Sequence, residues 1–472
     1  MATIRLLLND RPATIAAPAG LSTLAWLRGE RQLTGTREGC NEGECGACTV
    51  LLGEAGTGGV RYRAVAACLL PVGELAGRHL VTIEGLNPPA GLNPVQQALV
   101  DEGAPQCGFC FSGFVVSLCG FLLASDDFSV GDAVASIDGN ICRCTGYASI
   151  LRAIDTLCGG MRGRIDPVAP RAPQLVDAGI LPRHFADAAA RLAALDALPA
   201  ADAADLPLLG GGTDLLVQRR DPLAQGEARF VSRRPDLRTI AAEGHRLVIG
   251  GGVTITELTA SSAALAAVPA LGVMGPLFGS TLVRNRATVA GNLVNASPIA
   301  DLAAVLLAAD AELEIEAAGG ARRRVALENF FLGYKRIDLS AGEIVRAVRV
   351  PLRVADAAFS FEKVSRRRIL DIATVTGCLR VVLKDGVVTD ARLAVGGVAP
   401  VPLLARGAAA ALVGRPLDAA AVRAAADALD AEIAPIDDVR GTAAYKRLLA
   451  RRILMAHALT LAPGALRCGE LL

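Results

Sequence analysis

The sequence predicts a multidomain α+β chain, and three observations predict it. Its 472 residues exceed what one hydrophobic core holds, so about three domains are expected. Strand-like runs mark the N-terminal stretch, helical runs the stretch from Asn93 to Leu157, and strands followed by amphipathic helices the C-terminal one. Gly- and Pro-rich connectors fall between them, at Asn87-Pro-Pro-Ala-Gly91 and from Gly159 to about Leu181.

In the first unit Arg5–Leu8, Thr49–Leu52 and Leu80–Ile83 read as strands. Between the first two lies Cys40-Asn-Glu-Gly-Glu-Cys45-Gly-Ala-Cys48, three thiols within nine residues, with Cys68 as the fourth. C-x4-C-x2-C followed by a distant Cys is the plant-type spacing for a [2Fe–2S] cluster. Gly39, Gly43 and Gly46 suit a loop that needs positive φ angles and amides close to sulfur. The alternatives are a disulfide pair or a zinc site, and zinc favours two separated C-x2-C pairs.

Asn93-Pro94 reads as an N-cap with Pro in the first helical position, opening a helix that Gly103 stops. Helical runs follow at Phe114–Leu123, Gly131–Ile137 and Ala148–Leu157, a compact four-helix bundle. The uncharged stretch from Gly103 to Ser125 has 23 residues, long enough to span a bilayer. Pro105, Gln106, Ser112 and Ser117 interrupt it, so a buried helix after a ligand loop is expected instead. That loop is Cys107-Gly-Phe-Cys110, and Cys142-Arg-Cys144 follows 31 residues later. A C-x-C pair cannot share a helix face, so 140–146 is expected to be a loop aiming both sulfurs at the centre that Cys107 and Cys110 reach. A four-thiolate zinc is the alternative here, against the cramped C-x-C.

Beyond 181 two glycine loops follow strand-like runs, Leu208-Leu209-Gly210-Gly211-Gly212-Thr213-Asp214 and Val248-Ile249-Gly250-Gly251-Gly252. Neither is a G-x-G-x-x-G or Walker pattern; each is either a nest of amides for a diphosphate or a tight turn. The run from Phe278 to Asp301 holds Thr288, Gly291, Asn292, Asn295 and Ser297 and is expected to be too Gly-rich for a helix and too polar for a core strand. The last unit has strands at Ile372–Leu383 and Ala391–Val395, then helices at Asp418–Ile433, with Asp418 as N-cap, and Ala443–Leu459. Ser365-Arg-Arg-Arg368 reads as a solvated turn. Cys119, Cys158 and Cys378 are expected to fill cores, Cys468 to be an exposed tail residue, and the four His to carry no chemistry. A net charge of +1 gives no argument for nucleic acid or a membrane surface. The N-terminus leads straight into a strand-like run without an apolar signal segment, so a cytoplasmic location is expected and the 12 Cys are read as ligands rather than bridges.

Taken together, Cys40–Cys68, Cys107-Gly-Phe-Cys110 and Asn140-Ile-Cys-Arg-Cys-Thr-Gly-Tyr147 resemble the paired [2Fe–2S] region of the molybdenum hydroxylases, the xanthine dehydrogenase and aldehyde oxidase family. Thr-Val-Ala-Gly-Asn-Leu-Val-Asn-Ala-Ser-Pro-Ile-Ala-Asp, residues 288–301, is similar to that family's flavin signature. Two departures stand out: Phe111-Ser112 where the family has Thr-Pro, and Ala290 for a Gly. The resemblance implies a β-grasp ferredoxin-like domain over 1–86, a four-helix [2Fe–2S]-binding domain over 87–160, a linker over 161–180, an α+β FAD-binding domain over 181–355 and a C-terminal α+β flavoprotein domain over 356–472. It implies cluster ligands Cys40, Cys45, Cys48, Cys68 and Cys107, Cys110, Cys142, Cys144. For FAD it implies Leu208, Leu209, Gly210, Gly211, Gly212, Thr213, Asp214 and Leu215 around the diphosphate, Phe278 against the ring, and Thr288, Gly291, Asn292, Asp301, Tyr334, Val345 and Lys363 as further contacts.

A chain of this kind is expected to conduct electrons rather than activate an organic substrate. The resemblance implies the small subunit of a xanthine dehydrogenase-type enzyme, moving electrons from a molybdenum cofactor on a large partner subunit through two [2Fe–2S] clusters to FAD and then NAD+, in a heterotetramer of two small and two large subunits. Neither a nucleic acid nor a membrane partner is expected. The alternatives are the corresponding subunit of an aldehyde or N-heterocycle hydroxylase, and a standalone NADH-oxidising iron–sulfur flavoprotein reductase.

Overall fold

A computed structural model describes residues 3–166, 169–195, 206–352, 357–464 and 466–471. They form two compact units, one of residues 1–230 with 280–286 and one of 231–279 with 287–472. Phe185, Leu209, Leu216 and Phe230 belong to the core of the first unit.

The first unit opens with a hairpin of β1 (Thr3–Leu8) and β2 (Arg11–Ala16), turned by Asn9 at φ +51. Helix α1 (Thr23–Gly29), capped by the Ser22 hydroxyl, buries Leu24, Trp26 and Leu27. A second hairpin, β3 (Thr49–Gly56) with β4 (Gly59–Ala66), precedes β5 (His79–Val81). The sheet order is β2-β1-β5-β3-β4, with β1 and β5 parallel and the other pairs antiparallel. β5 stops at Val81, and Ile83–Leu86 is a single helical turn rather than more strand.

Four helices follow: α2 (Pro94–Asp101), α3 (Phe111–Ala124), α4 (Val130–Ser136) and α5 (Ala148–Met161). Asn93 caps α2 in a full capping box with Gln96, as Asn-Pro indicates. With Phe111-Ser112 in place of Thr-Pro, α3 starts directly on Cys110 without a side-chain cap. All residues from Gly113 to Leu122 are buried, which is how a helix apolar all round survives in water. Gly113, Ser117 and Gly120 lie at i, i+4 and i+7, one helix face, and Gly120 sits on Leu51 and Ala64 of the β3–β4 hairpin, where a Cβ would come within 3.0 Å of Leu51. That small-residue face presses the bundle onto the sheet and merges two domains into one core. The stretch expected as a linker contains a helix, Arg171–Asp177, whose Leu175 is buried; residues 167 and 168 lie outside the described residues. Among the described residues no helix is long and apolar enough to cross a membrane.

Among its described residues the second unit holds a small hairpin, Phe331–Gly333 with Arg336–Ile337, and two larger antiparallel sheets. One has the order Arg322–Ala326, Glu312–Glu316, Ile344–Pro351, Arg246–Gly250, Ile240–Glu243. The other is a meander of Ala357–Val364, Val375–Lys384, Val387–Gly396 and Leu403–Leu404, packed against the helices Ala419–Glu432 and Ala443–Leu461. Asp418 caps the first of these helices through Ala421 N–H. The 278–301 run is not free of helix, contrary to expectation. Ser280 caps the turn Thr281–Arg284, and Thr288 caps Val289–Val294, accepting from Gly291 N–H at 3.1 Å. Two hydroxyl caps offset the weak helix propensity of Gly291 and Asn292.

Candidate redox cofactor sites

The first site is built by the loop between α1 and β3. Gly43 and Gly46 adopt φ +77 and +67, the left-handed turns that curl the loop. The curl brings amides onto sulfur: Cys40 Sγ accepts from Glu42 N–H at 3.4 Å and Glu44 N–H at 3.3 Å, and Cys45 Sγ accepts from Cys40 N–H at 3.4 Å. Cys48 and Cys68 place their sulfurs 3.4 Å apart, both buried. The Cys45 thiol bonded to it, helped by the amides, holds Cys40 down at about 5, while the same contact pushes Cys45 up. Cys48 is lowered and Cys68 raised by the same division of one proton.

The second site lies on two interhelical loops. Cys107 and Cys144 sulfurs are 3.6 Å apart at the surface, and Cys110 pairs with Cys142 beneath them. The Cys107 thiol is lowered, first by the Phe109 amide and then by Cys144, whereas Cys107 raises Cys144. Burial raises Cys142, but hydrogen bonds from Thr145 outweigh it and the thiol ends lowered; burial and Cys142 push Cys110 up to about 12. Local contacts close the C-x-C loop. Thr145 Oγ1 donates to Cys142 Sγ at 3.3 Å, Cys142 N–H donates to the Tyr147 hydroxyl at 2.9 Å, and Tyr147 itself sits at φ +68.

Each site is therefore two pairs of thiols, and one thiol of every pair is held toward the thiolate. Among the described residues no three or more His, Cys, Asp or Glu side chains close on a single metal ion. Two pairs fit a binuclear cluster, in which each iron takes two thiolates, better than a zinc tetrahedron, which gathers four sulfurs round one ion. The eight expected ligands thus lie in four close pairs, Cys40 with Cys45, Cys48 with Cys68, Cys107 with Cys144 and Cys110 with Cys142. Cys119, Cys158 and Cys378 are buried away from these sites, and burial raises Cys119 to about 12. Cys468 is exposed.

The expected flavin residues divide between the units. In the first, Leu208–Leu209 pairs with Arg229–Phe230 and leads into Gly210–Gly212, with Gly212 at φ +78. The Gly211 carbonyl accepts from Arg286 Nη2 at 3.1 Å, and the Gly212 carbonyl from Leu216 N–H at 3.0 Å. Because trans peptides oppose C=O and N–H, tying down those carbonyls turns the Gly212 and Thr213 amides the other way, as a diphosphate would need. Asp214 accepts from Gln218 Nε2 at 2.7 Å, and Leu215 is half-buried. Arg286 is 7% exposed and is held in turn by Glu74 Oε2 at 3.3 Å, which Arg78 also grips at 2.6 Å.

In the second unit, Asn292 Oδ1 is buried without a hydrogen-bond partner, an acceptor left for a ligand hydroxyl or amide. Asp301 and Lys363 are partners of each other at 2.7 Å, both buried, and Lys363 also donates to Leu277 O at 2.7 Å. Burial pushes the Asp301 carboxyl up, with Lys363 opposing. Thr288 is spent on its cap, Phe278 ends the Ala270–Leu277 helix half-buried, Tyr334 is 65% exposed, and Val345 is buried in the sheet beside Gly251. Arg286, Asn140 and Tyr147 were assigned no role by sequence reasoning, although all three lie inside the cofactor motifs.

Four family profiles match the chain in order. They are 2Fe-2S iron-sulfur cluster binding domain over residues 6–72, [2Fe-2S] binding domain over 82–155, FAD binding domain in molybdopterin dehydrogenase over 178–353 and CO dehydrogenase flavoprotein C-terminal domain over 360–461. A solved carbon monoxide dehydrogenase from Hydrogenophaga pseudoflava is 33% identical, with TM-score 0.51 over 54% of this chain and 88% of that one. The chain belongs to the molybdenum hydroxylase family. Quinoline 2-oxidoreductase from Pseudomonas putida 86 matches this iron–sulfur and flavin chain at 26% identity and TM-score 0.51, covering 56% of it and 92% of the solved chain. Xanthine dehydrogenase 1 of Arabidopsis thaliana is 29% identical over 84% of this chain and 35% of its own length. Xanthine dehydrogenase/oxidase of Mus musculus is 29% identical over 80% and 32%. The molybdenum hydroxylase chain thus spans about a third of the length of the curated relatives it matches.

Proposed function

We propose that this chain is the electron-transfer small subunit of a xanthine dehydrogenase. It takes electrons from a molybdenum cofactor on a large partner subunit and delivers them through its two cluster sites and FAD to NAD+. The pair would oxidise hypoxanthine and xanthine to urate in the cytoplasm, as a heterotetramer of two small and two large subunits. The observation that carries the reading is the arrangement of eight thiols as close pairs at two sites, with Cys48, Cys68, Cys110 and Cys142 sharing one core. Bound [2Fe–2S] clusters carry single electrons and a flavin converts single electrons into hydride, which suits a conduit ending at a nicotinamide.

The chain's own residues serve that path. Glu42, Glu44 and Thr145 donate hydrogen bonds that stabilise thiolate on Cys40 and Cys142. Cys107 and Cys144 are exposed, so a donor on another chain can approach the helical-domain site closely. Arg286 orients the glycine loop whose amides are free to meet a diphosphate. The xanthine dehydrogenase relatives favour a purine substrate; the likeness to quinoline 2-oxidoreductase favours the second reading, the electron-transfer subunit of an N-heterocycle or aldehyde hydroxylase.

The test is to purify the chain with the large chain that accompanies it and assay NAD+ reduction driven by xanthine, quinoline and an aldehyde in turn. Xanthine-driven NADH formation supports the proposal. Turnover of quinoline or an aldehyde but not xanthine overturns it in favour of the second reading, and NADH-driven dye reduction by the chain alone, with no large chain recovered, overturns both.

A further inference from the structure

The C-x-C loop ends on successive left-handed residues, Gly146 at φ +63 and Tyr147 at φ +68. Glycine adopts that conformation freely; an L side chain rarely does, and where one is found there its surroundings hold it. The Tyr147 hydroxyl accepts from Cys142 N–H at 2.9 Å and donates to Asn140 O at 3.4 Å, and its ring stands edge-on to Phe114 with centroids 6.3 Å apart. Held this way, Tyr147 turns its own amide back into the loop, where its N–H donates to Thr145 Oγ1 at 3.1 Å. A hydroxyl carries one proton, and an oxygen that accepts from an amide directs that proton elsewhere. Here it goes to Cys142 Sγ at 3.3 Å, in a buried residue where water competes little for the sulfur. A threonine just ahead of a helix ordinarily caps it or closes a local turn, using its oxygen as acceptor. Helix α5 has no side-chain cap, and a turn needs only the accepted bond, so the donated bond to sulfur is left for another purpose. At the first site Cys40 and Cys45 take backbone amides, which any sequence supplies; at Cys142 a side-chain hydroxyl donates, and the tyrosine amide aims it.

We propose that Thr145 sets the reduction potential of the cluster at the second site through its hydroxyl bond to Cys142 Sγ, with Tyr147 as the positioning residue that aims the hydroxyl. The inference rests on Cys107, Cys110, Cys142 and Cys144 holding a [2Fe–2S] cluster. Reduction adds one electron and no proton, so negative charge grows on the cluster and on the thiolates that hold it. A hydrogen bond donated to a ligand sulfur strengthens against that added charge, which stabilises the reduced form and raises the potential. The Thr145 proton stays on its oxygen throughout, and Tyr147 touches no sulfur.

The experiment uses the full chain carrying both clusters and reads each midpoint separately, by EPR during a redox titration; the second cluster is the one whose signal Cys107→Ser loses. Thr145→Val keeps the volume and deletes the hydroxyl. At the potential where the second cluster of the unaltered chain is half reduced, its oxidised-to-reduced ratio is expected to rise about twofold to tenfold in the variant, the weight of one net hydrogen bond, while the first cluster's midpoint stays where it was. Thr145→Ser, which returns the hydroxyl, restores the original midpoint. An unchanged second midpoint in Thr145→Val, a shift shared by both clusters, or a serine variant that behaves like the valine one overturns the proposal. If the valine methyl expels the cluster, Thr145→Ala removes the hydroxyl without placing bulk at the sulfur and is read in the same way; loss of the cluster there too overturns the proposal in favour of a purely structural residue. Absence of two EPR signals from the unaltered chain would instead refute the cluster reading itself.

Discussion

Replacing Arg286 by Met tests how the glycine loop is prepared for its ligand. The guanidinium is buried between two acceptors, the Gly211 carbonyl at 3.1 Å and Glu74 at 3.3 Å. Breaking an isolated buried ion pair costs about 3–5 kcal/mol. Here the cost is smaller, because Glu74 keeps Arg78 at 2.6 Å. What is lost outright is the partner of a carbonyl, about 1–3 kcal/mol for a buried acceptor left unsatisfied. The Gly211–Gly212 peptide is then free to turn, and its amide no longer waits in the orientation a diphosphate needs. If that free energy falls on binding, FAD affinity drops about fivefold to a hundredfold. Titrating flavin-depleted protein with FAD, read by quenching of flavin fluorescence, measures it. Arg78→Met is the control: it strips Glu74 of its closer partner but leaves Gly211 held, so it should lower thermal stability and spare FAD affinity. Equal weakening in the two variants, or none in Arg286→Met, would refute the reasoning.

Three further outcomes are expected. Freshly isolated chain should carry about four iron atoms and one FAD; Cys107→Ser should lose one of two EPR signals whereas Cys119→Ser, altering a packed core thiol, should lose neither, and iron, sulfide and EPR assays check this. Lys363→Met leaves the buried Asp301 without its 2.7 Å partner. Its carboxyl, already raised by burial, should rise further above its unfolded value, so the penalty of about 3–5 kcal/mol is felt in full at high pH and relieved as acid protonates it; melting temperatures at pH 5 and 8 should therefore differ from wild type more at pH 8. His79 is buried between the Tyr62 hydroxyl and Asn9 O, and burial lowers it to about 3. Below its unfolded pKa the unfolded chain binds a proton that the folded one refuses, so stability falls as pH drops from about 6.5 toward 3, by about 2 kcal/mol at pH 5. His79→Gln should flatten the dependence of the melting temperature on pH over that window, and an unaltered slope would count against it.

The sequence alone determined what is local. Ligand spacing such as Cys40-x4-Cys45-x2-Cys48 encodes its own loop, because three thiols so close can converge only if the backbone curls, and Gly43 and Gly46 supply the positive φ that lets it. Caps are local too, so Asn93 and Asp418 announced their helices within three residues. The family motif carried the rest of the cofactor inventory, whereas composition misled where hydroxyl caps turned part of 278–301 into helix; that Asp301 and Lys363 hold each other is a pairing no local pattern announced. Only the tertiary structure decided which distant groups meet. Asn140 reaches Gly46 across 94 positions and Arg286 reaches Glu74 across 212. Gly113, Ser117 and Gly120 reveal in sequence that something approaches α3 closely, but a face of small residues does not say what. That answer depends on how the sheet and the bundle close into one core, a property of summed apolar burial over both and not of any segment within them.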